Sequence, residues 1–292
     1  MVAKSMKYFI VDAFAKRPFS GNTAGVVLDD GIAFHSNTQM QAIAAELRYS
    51  ETAFVLKEGD GTWHLRYFTP RGEVDLCGHA TVATFAVLHH LGIASGTCRC
   101  HIQAGELEVQ IEHLASSLSP RIMLQTAAPA IVRTLTAEES AEAYHALGLQ
   151  SNYPELPPAI VSTGLPDIML HLPSAATLDS LQPNMEAITT LTERLGAVSL
   201  HPFAFDNDGY TAHVRDFAPG CGIPEESATG TANASLTYYL TSHGLAKPGD
   251  KCSFLQGEAM GRPSVVETVL AADGSVWVGG TAAIVAEGEF LI

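Results

Sequence analysis

Two short stretches of this chain set reactive side chains beside a glycine that opens a helical pattern. The first is Asp75-Leu76-Cys77-Gly78-His79-Ala80. The second is Glu226-Ser227-Ala228-Thr229-Gly230-Thr231-Ala232. The first N–H groups of a helix have no partner within it and carry partial positive charge. A glycine at that point lets a ligand approach the backbone closely. If Gly78 and Gly230 faced one another, the two helix starts would form one cradle for a small carboxylate. The plainer reading of either glycine alone is a tight turn. Four acid–base candidates accompany them: Glu51, His79, Glu226 and Asp75. Glu51 stands where a helix pattern ends and a strand begins, a place suited to a mounted catalytic base or to a solvated turn residue. The His79 imidazole can move protons at neutral pH, or can simply be a polar residue at a helix start. Glu226 can act chemically or can complement the positive end of a helix. A thiol at such a helix start, Cys77, can act as a base, or can pack as a small buried residue.

Other chemical signatures are absent or weak. There is no phosphate-binding Walker sequence, no G-x-G-x-x-G, no G-x-S-x-G and no H-E-x-x-H. Gly220-Cys221-Gly222 lacks a third glycine. Cys98 and Cys100 would share one face of a strand, but no second ligand pair stands nearby, so strand residues are the reading. His89 and His90 are helix neighbours that point apart. The sequence therefore leads to an expectation of no metal and no cofactor.

The elements that must position these residues follow from periodicity. Tyr8 to Phe14, Ala24 to Leu28, Thr52 to Leu56 and His64 to Thr69 read as strands, the last two joined by a turn at Gly59-Asp60-Gly61. Ser36 to Leu47 reads as a helix capped by Ser36 or Asn37, and Ala80 to Leu91 as an apolar helix ended by Gly92. Pro70 to Cys77 reads as irregular, and short strands follow to about Leu124. The second half repeats the order. Ala159 to Val161 and Ile168 to Leu170 are strands around Gly164-Leu165-Pro166, and Asn184 to Leu195 is a helix stopped by Gly196. His213 to Phe217 is a strand and Ala232 to Leu240 a helix. Phe68-Thr69-Pro70 precedes the first glycine turn and Phe217-Ala218-Pro219 the second. From Gly78 to Gly92 is 14 residues, as it is from Gly230 to Gly244. This argues a duplicated α+β unit, each copy a set of mostly antiparallel strands around a central apolar helix.

Composition bounds the partners. The chain has 292 residues, 47% apolar and 16% charged, with a formal net charge of −15. That is enough apolar material for two domains, and the low charge excludes a mainly disordered chain. So acidic a surface repels nucleic acid and anionic lipid. Five scattered cysteines make no disulfide framework, which with the lack of a secretory signal gives an expectation of a cytoplasmic location. No apolar stretch is long enough to span a bilayer.

Several of these residues together are similar to one family. They are Val11-Asp12-Ala13-Phe14 with Gly21-Asn22, Ser50-Glu51-Thr52-Ala53-Phe54, Phe68-Thr69-Pro70, Glu73 to Ala80, Ala228-Thr229-Gly230, and Gln256-Gly257 with Gly261-Arg262-Pro263-Ser264. In this order, over nearly the whole chain, they resemble the phenazine-biosynthesis PhzF-like isomerases. The resemblance implies the diaminopimelate-epimerase-like fold: two pseudo-symmetric halves, each a curled sheet on a central helix, with the active site in the cleft. It implies a last strand, Ala282 to Ile292, returning to the first half. The expected domains are residues 6–117 with 285–292, and 118–284.

The resemblance also implies roles. Glu51 matches the family's proton-moving glutamate and His79 its cleft histidine. The family's aspartate falls at Glu226 and its small hydroxyl residue at Thr231. Related epimerases use a thiol in each half; Cys77 matches one, and the second falls at Thr229. The expected activity is a cofactor-independent isomerase acting on a small carboxylated metabolite. Glu51 would move the proton, with His79 and Glu226 orienting or polarising substrate. Gly78, Gly230, Thr231, Asp75 and Cys77 would bind it. The alternatives are a non-catalytic small-acid-binding protein and a single-thiol epimerase-like enzyme using Cys77. A homodimer is the expected assembly, with neither nucleic acid nor membrane as a partner.

Overall fold

The computed structural model describes residues 5–28, 36–58, 61–113, 119–150, 153 and 155–291. The chain divides into two compact units, Met1–Gln125 with Gly279–Ile292, and Thr126–Val278.

The first unit runs β1 (Ser5–Ala13), β2 (Asn22–Leu28), α1 (Asn37–Leu47), β3 (Glu51–Lys57), β4 (Trp63–Phe68), β5 (Glu73–Val74), α2 (Gly78–His90), β6 (Gly96–Ile102), β7 (Gly105–Glu112) and β8 (Arg121–Gln125). β1 and β2 pair antiparallel, and β2 and β3 pair parallel across the α1 connection. β3 and β4 are antiparallel, β4 and β6 parallel across α2, and β6, β7 and β8 antiparallel again. Parallel neighbours need such a crossover, and here a helix supplies it.

The second unit runs β9 (Ala130–Thr134), α3 (Ala137–Ala146), β10 (Ala159–Ser162), β11 (Pro166–Leu172), α4 (Ala175–Asp179), α5 (Met185–Leu195), β12 (Ser199–Ala204), β13 (Ala212–Val214), α6 (Gly230–Ser242), β14 (Lys251–Gln256) and β15 (Ser264–Leu270). From β10 to β15 the pairing senses are antiparallel, parallel, antiparallel, parallel, antiparallel. That is the order found from β1 to β7, with α5 and α6 in the places of α1 and α2. β16 (Val276–Gly280) then leads to β17 (Ala282–Leu291), which pairs antiparallel with β1 from Ala13↔Ala282 to Ser5↔Leu291.

α2 and α6 form the centre of their units. Every residue from His79 to Leu88 is buried, as are Ala232 to Thr237, Tyr239 and Leu240. A helix buried on all faces needs small and apolar residues all round, which is what both sequences supply. The outer helix α5 is amphipathic instead, burying Ile188 and Leu191 against the core of Ile168, Leu170 and Phe217.

Some sequence expectations change. Residues 70–77 are not wholly irregular, since β5 pairs with β4. The strand expected at His213–Phe217 is short: the Asp216 carbonyl accepts the Glu226 N–H at 3.0 Å, so the backbone leaves the ladder there. The expected boundary at 117/118 and the turn residues Gly59 and Asp60 lie outside the described residues. The first unit extends to Gln125 because β8 pairs with β7 from Glu112↔Arg121 to Val109↔Leu124. The return to that unit begins at Gly279, ahead of the expected residue 285. Among the described residues no helix is long and apolar enough to cross a membrane.

Gly257 follows β14 with φ +82°, and an added Cβ would lie 2.4 Å from the Arg262 carbonyl oxygen and 2.6 Å from that of Ser227. Gly274 has φ +87° but nothing within 4 Å. Gly274→Ala is therefore expected to cost about 1–2 kcal/mol from the backbone alone, and Gly257→Ala about 2–4 kcal/mol because backbone must also move. Urea denaturation of the two variants checks the order.

Candidate active site

In the first unit the site is built where α1 ends and β3 begins. Arg48 adopts φ +61° and its N–H bonds to the Ala44 carbonyl, closing α1. The chain then passes through Ser50 into Glu51, the first residue of β3, held parallel to β2 at Ala24. His79 comes from the first turn of α2. Its Nε2 lies 3.2 Å from Glu51 Oε2 and 3.3 Å from Ser50 Oγ. Its Nδ1 lies 3.4 Å from Cys77 Sγ. Glu51 Oε2 is buried and accepts no aligned hydrogen bond among the described residues. A lone pair is thus left for a proton from elsewhere. Burial pulls the His79 imidazole below its ordinary value, and the neighbouring Glu51 works against that only in part. The imidazole is therefore neutral at pH 7. Under α2, the Tyr67 hydroxyl meets Thr81 Oγ1 at 2.6 Å, and Thr81 Oγ1 donates to the Cys77 carbonyl at 2.7 Å, fixing the helix start.

The second unit carries a different set at the start of α6. Thr229 Oγ1 lies 2.7 Å from Glu226 Oε2 and 3.0 Å from Asp216 Oδ2. Ser199 Oγ lies 2.7 Å from Asp216 Oδ1 and 2.8 Å from Asp167 Oδ1. His201 Nδ1 is 2.9 Å from Asp216 Oδ1. Gln256 Oε1 accepts the Thr229 N–H at 3.0 Å and Asn233 Nδ2 at 2.8 Å, while its Nε2 donates to the Glu226 carbonyl at 2.8 Å. Burial first, then Asp216 and Glu226, push the Asp167 carboxyl well above the usual carboxylate range, against a hydrogen bond from Ser199.

The helix starts differ in one respect from the others. α1, α3, α4 and α5 each have a Ser, Thr or Asn cap whose side chain accepts a first-turn N–H. α2 and α6 begin at Gly78 and Gly230 behind Cys77 and Thr229, with no side-chain cap. The Cys77 thiol faces His79, and the Thr229 hydroxyl faces carboxylates. Both central helices thus present N–H groups with no side-chain cap, the arrangement that binds anions. A Cβ on Gly78 would meet nothing within 4 Å, so space lies open before that backbone.

The expected residues fall into three places. Glu51, Cys77, Gly78 and His79 are brought together in the first unit. Glu226, Gly230 and Thr231 gather in the second, where the Thr231 carbonyl accepts from Thr163 Oγ1 at 3.0 Å. Asp75 is exposed, and its carbonyl accepts the Ala104 N–H at 3.2 Å. Ligand atoms of Glu51, Cys77 and His79 lie within 4.8 Å of one another, and among the described residues this group could together meet a metal ion. Sequence reasoning did not single out Ser50, Asp167, Ser199, His201 or Asp216, nor give a role to Gln256. The one available signal was a polar residue at alternate positions of otherwise apolar strands, as in Leu200-His201-Pro202 and Pro166-Asp167-Ile168.

Residues 11–288 match the family described as phenazine biosynthesis-like protein (PhzC-PhzF). An uncharacterized isomerase, YddE, of Salmonella typhimurium is 37% identical over 292 residues, covering 97% of both chains. A trans-2,3-dihydro-3-hydroxyanthranilate isomerase of Pseudomonas chlororaphis is 33% identical over 264 residues, covering 89% of this chain and 88% of that one. The crystal structure of a Bacillus anthracis phenazine biosynthesis protein of the PhzF family superposes with a TM-score of 0.87 at 29% identity, covering 99% of this chain and 100% of that one. The fold alone is shared with a hydroxyproline epimerase from Agrobacterium vitis, TM-score 0.64 at 13% identity, covering 99% and 92%. The architecture is thus the α+β, diaminopimelate-epimerase-like one.

The depressed His79 has a stability consequence. Below about pH 6.5, the unfolded imidazole binds a proton that the folded one refuses. Stability from this group is intact above that pH and falls as pH drops toward the folded value, by at most about 1.4 kcal/mol per pH unit. His79→Asn is expected to remove that component of the acid-side slope. Urea melts of both proteins across this range check it, and superposable slopes would contradict it.

Proposed function

The chain belongs to the phenazine biosynthesis-like family, and from that premise we propose that it is an isomerase that moves a proton within a small carboxylated metabolite, with Glu51 as the acid–base group. The observation that carries this reading is the Glu51 carboxylate at 3.2 Å from a buried imidazole, its Oε2 without a hydrogen bond among the described residues, beside the uncapped start of α2. A base needs a free lone pair within reach of the carbon-bound proton. As that C–H bond breaks, charge spreads into the conjugated carboxylate. Backbone N–H groups already aimed at an anion stabilise it more in the transition state than in the ground state. Glu51 then returns the proton to another carbon of the same system. Atoms and charge balance within one molecule, so the step consumes no oxidant or reductant.

The neutral His79 packs against this carboxylate at 3.2 Å and adds no charge of its own. By the same reasoning, the Gly230 N–H and Thr231 hydroxyl of the second unit are donors to a carboxylate, and Glu226 is a group that polarises substrate. Because a relative is named a trans-2,3-dihydro-3-hydroxyanthranilate isomerase, that compound is the first to assay, followed by other small cyclic and conjugated acids.

Incorporation of solvent deuterium into the acid tests proton movement directly. Glu51→Gln keeps the shape of the side chain but cannot shuttle a proton. It is expected to lower turnover and deuterium exchange by about 10²–10⁴-fold, with affinity changed by less than about tenfold. Normal turnover in Glu51→Gln beside a dead His79→Asn would transfer the base role to His79. Gly78→Val projects into open space, so its melting temperature is expected to stay close to that of the parent protein while affinity for the acid falls at least about tenfold. Unchanged affinity in this folded variant would remove the α2 start from the binding site.

A further inference from the structure

We infer that Asp167, Ser199, Asp216, Thr229 and Glu226 form one proton-sharing chain, in which Asp167 is a buried proton store that positions and replenishes the proton on Glu226. The argument is a count of protons. Ser199 Oγ lies 2.8 Å from Asp167 Oδ1 and 2.7 Å from Asp216 Oδ1, and Thr229 Oγ1 lies 3.0 Å from Asp216 Oδ2 and 2.7 Å from Glu226 Oε2. Each of these four contacts needs a hydrogen between the oxygens. A hydroxyl carries a single proton and an ionised carboxylate carries none. Two hydroxyls therefore supply two of the four, and carboxyl protons supply the other two. Leaving these oxygens in contact without a hydrogen would set mutually repelling acceptors against one another, with Asp167 and Asp216 buried.

The surroundings decide where the protons rest. Asp216 also receives His201 Nδ1 at 2.9 Å, so it has three donors within reach and is the natural acceptor in the middle. Thr229 Oγ1 also accepts from Gln256 Nε2 at 3.1 Å, which leaves its own proton for one carboxylate. Asp167 is 2% exposed, and its Oδ2 has no hydrogen bond among the described residues. An acid group that buried, with one oxygen unsolvated, is the member that carries a proton at rest. Among the described residues His201 and Cys221 also stand beside the chain, and burial pushes the Cys221 thiol up. Arg215 is held by both Glu225 oxygens at 2.8 Å.

Topology supports the inference independently. Ser199 is the first residue of β12, as Glu51 is of β3, and Thr229 precedes α6 as Cys77 precedes α2. The chain therefore occupies the place in the second unit where the first unit holds Glu51, Cys77 and His79. When Glu226 gives up its proton, Thr229 passes it another. For that, Asp167 protonates Ser199 as Ser199 protonates Asp216, and Asp216 so protonated restores Thr229 as Thr229 gives up its own proton. One O–H is lost at Asp167 and one gained at Glu226, and reversal resets the chain. Its use in turnover rests on the role of Glu226 proposed above, whereas the stored protons do not.

Infrared spectroscopy of the full chain without any ligand tests it. At neutral pH the protein is expected to show a carboxylic-acid C=O band that moves in D2O. Labelling aspartate carboxyls with ¹³C is expected to shift part of that band and labelling glutamate the rest. Asp167→Asn, whose amide can still donate to Ser199, is expected to lose the aspartate part. The absence of an acid band at neutral pH, a band unmoved by aspartate labelling, or one retained in full by a folded Asp167→Asn protein would each overturn the proposal. If Asp167→Asn does not fold, the labelled parent protein decides. Loss of turnover in Glu51→Gln with the band intact separates the two readings.

Discussion

The structure depends on two helices that are buried along most of their length. α2 and α6 each sit at the centre of a unit, so their side chains are small or apolar on every face. Such a helix cannot display chemistry along its sides. What remains available is its N-terminus, and in both units the chain leaves that end without the Ser, Thr or Asn side-chain cap found on α1, α3, α4 and α5. A missing cap costs about 1 kcal/mol. The two central helices forgo that stabilisation beside Glu51, Cys77 and His79 in one unit and Thr229 and Glu226 in the other.

Around that common frame the units have different chemistry. The first unit offers a carboxylate, an imidazole and a thiol, with a fixing bond from Thr81 to the Cys77 carbonyl. The second offers carboxyls and hydroxyls, with Asn233 bonding the equivalent Thr229 carbonyl at 2.9 Å. The same strand order thus carries a carboxylate beside an imidazole in one copy and a hydrogen-bonded set of carboxyls and hydroxyls in the other. A threonine hydroxyl at the position equivalent to Cys77 is far too weak an acid to move a proton from carbon by itself. Between two carboxyls, as a donor and acceptor at once, it is well suited to relay one.

The sequence determined the local framework. β-branched and aromatic runs gave the strands around Tyr8, Phe54 and Leu65. Ser36, Asn184 and Gly196 marked helix ends by capping chemistry that acts within one turn. The equal spacing from Gly78 to Gly92 and from Gly230 to Gly244 exposed the duplication. Glu51, His79 and Glu226 were legible because short motifs surround them and resemble one family. α3 was equally legible in principle through its Thr136-x-x-Glu139 capping box, which forms with hydrogen bonds of 3.2 and 2.9 Å.

Tertiary structure alone decided which of these residues meet. Glu51 and His79 are 28 positions apart in the chain and touch only because β3 starts beside the first turn of α2. Asp167, Ser199 and Asp216 come from β11, from β12 and from beyond the end of β13, and read singly as polar residues in apolar strands. Their meaning as a group comes from the parallel pairing of β11 with β12, which aligns Asp167 with Ser199, and from the turn of the backbone at Asp216. Hydrogen-bond counts and desolvation act over a few ångströms in space and are independent of separation along the chain. Periodicity reports which face of an element is buried, whereas the protons shared among buried side chains are set by the neighbours that folding supplies.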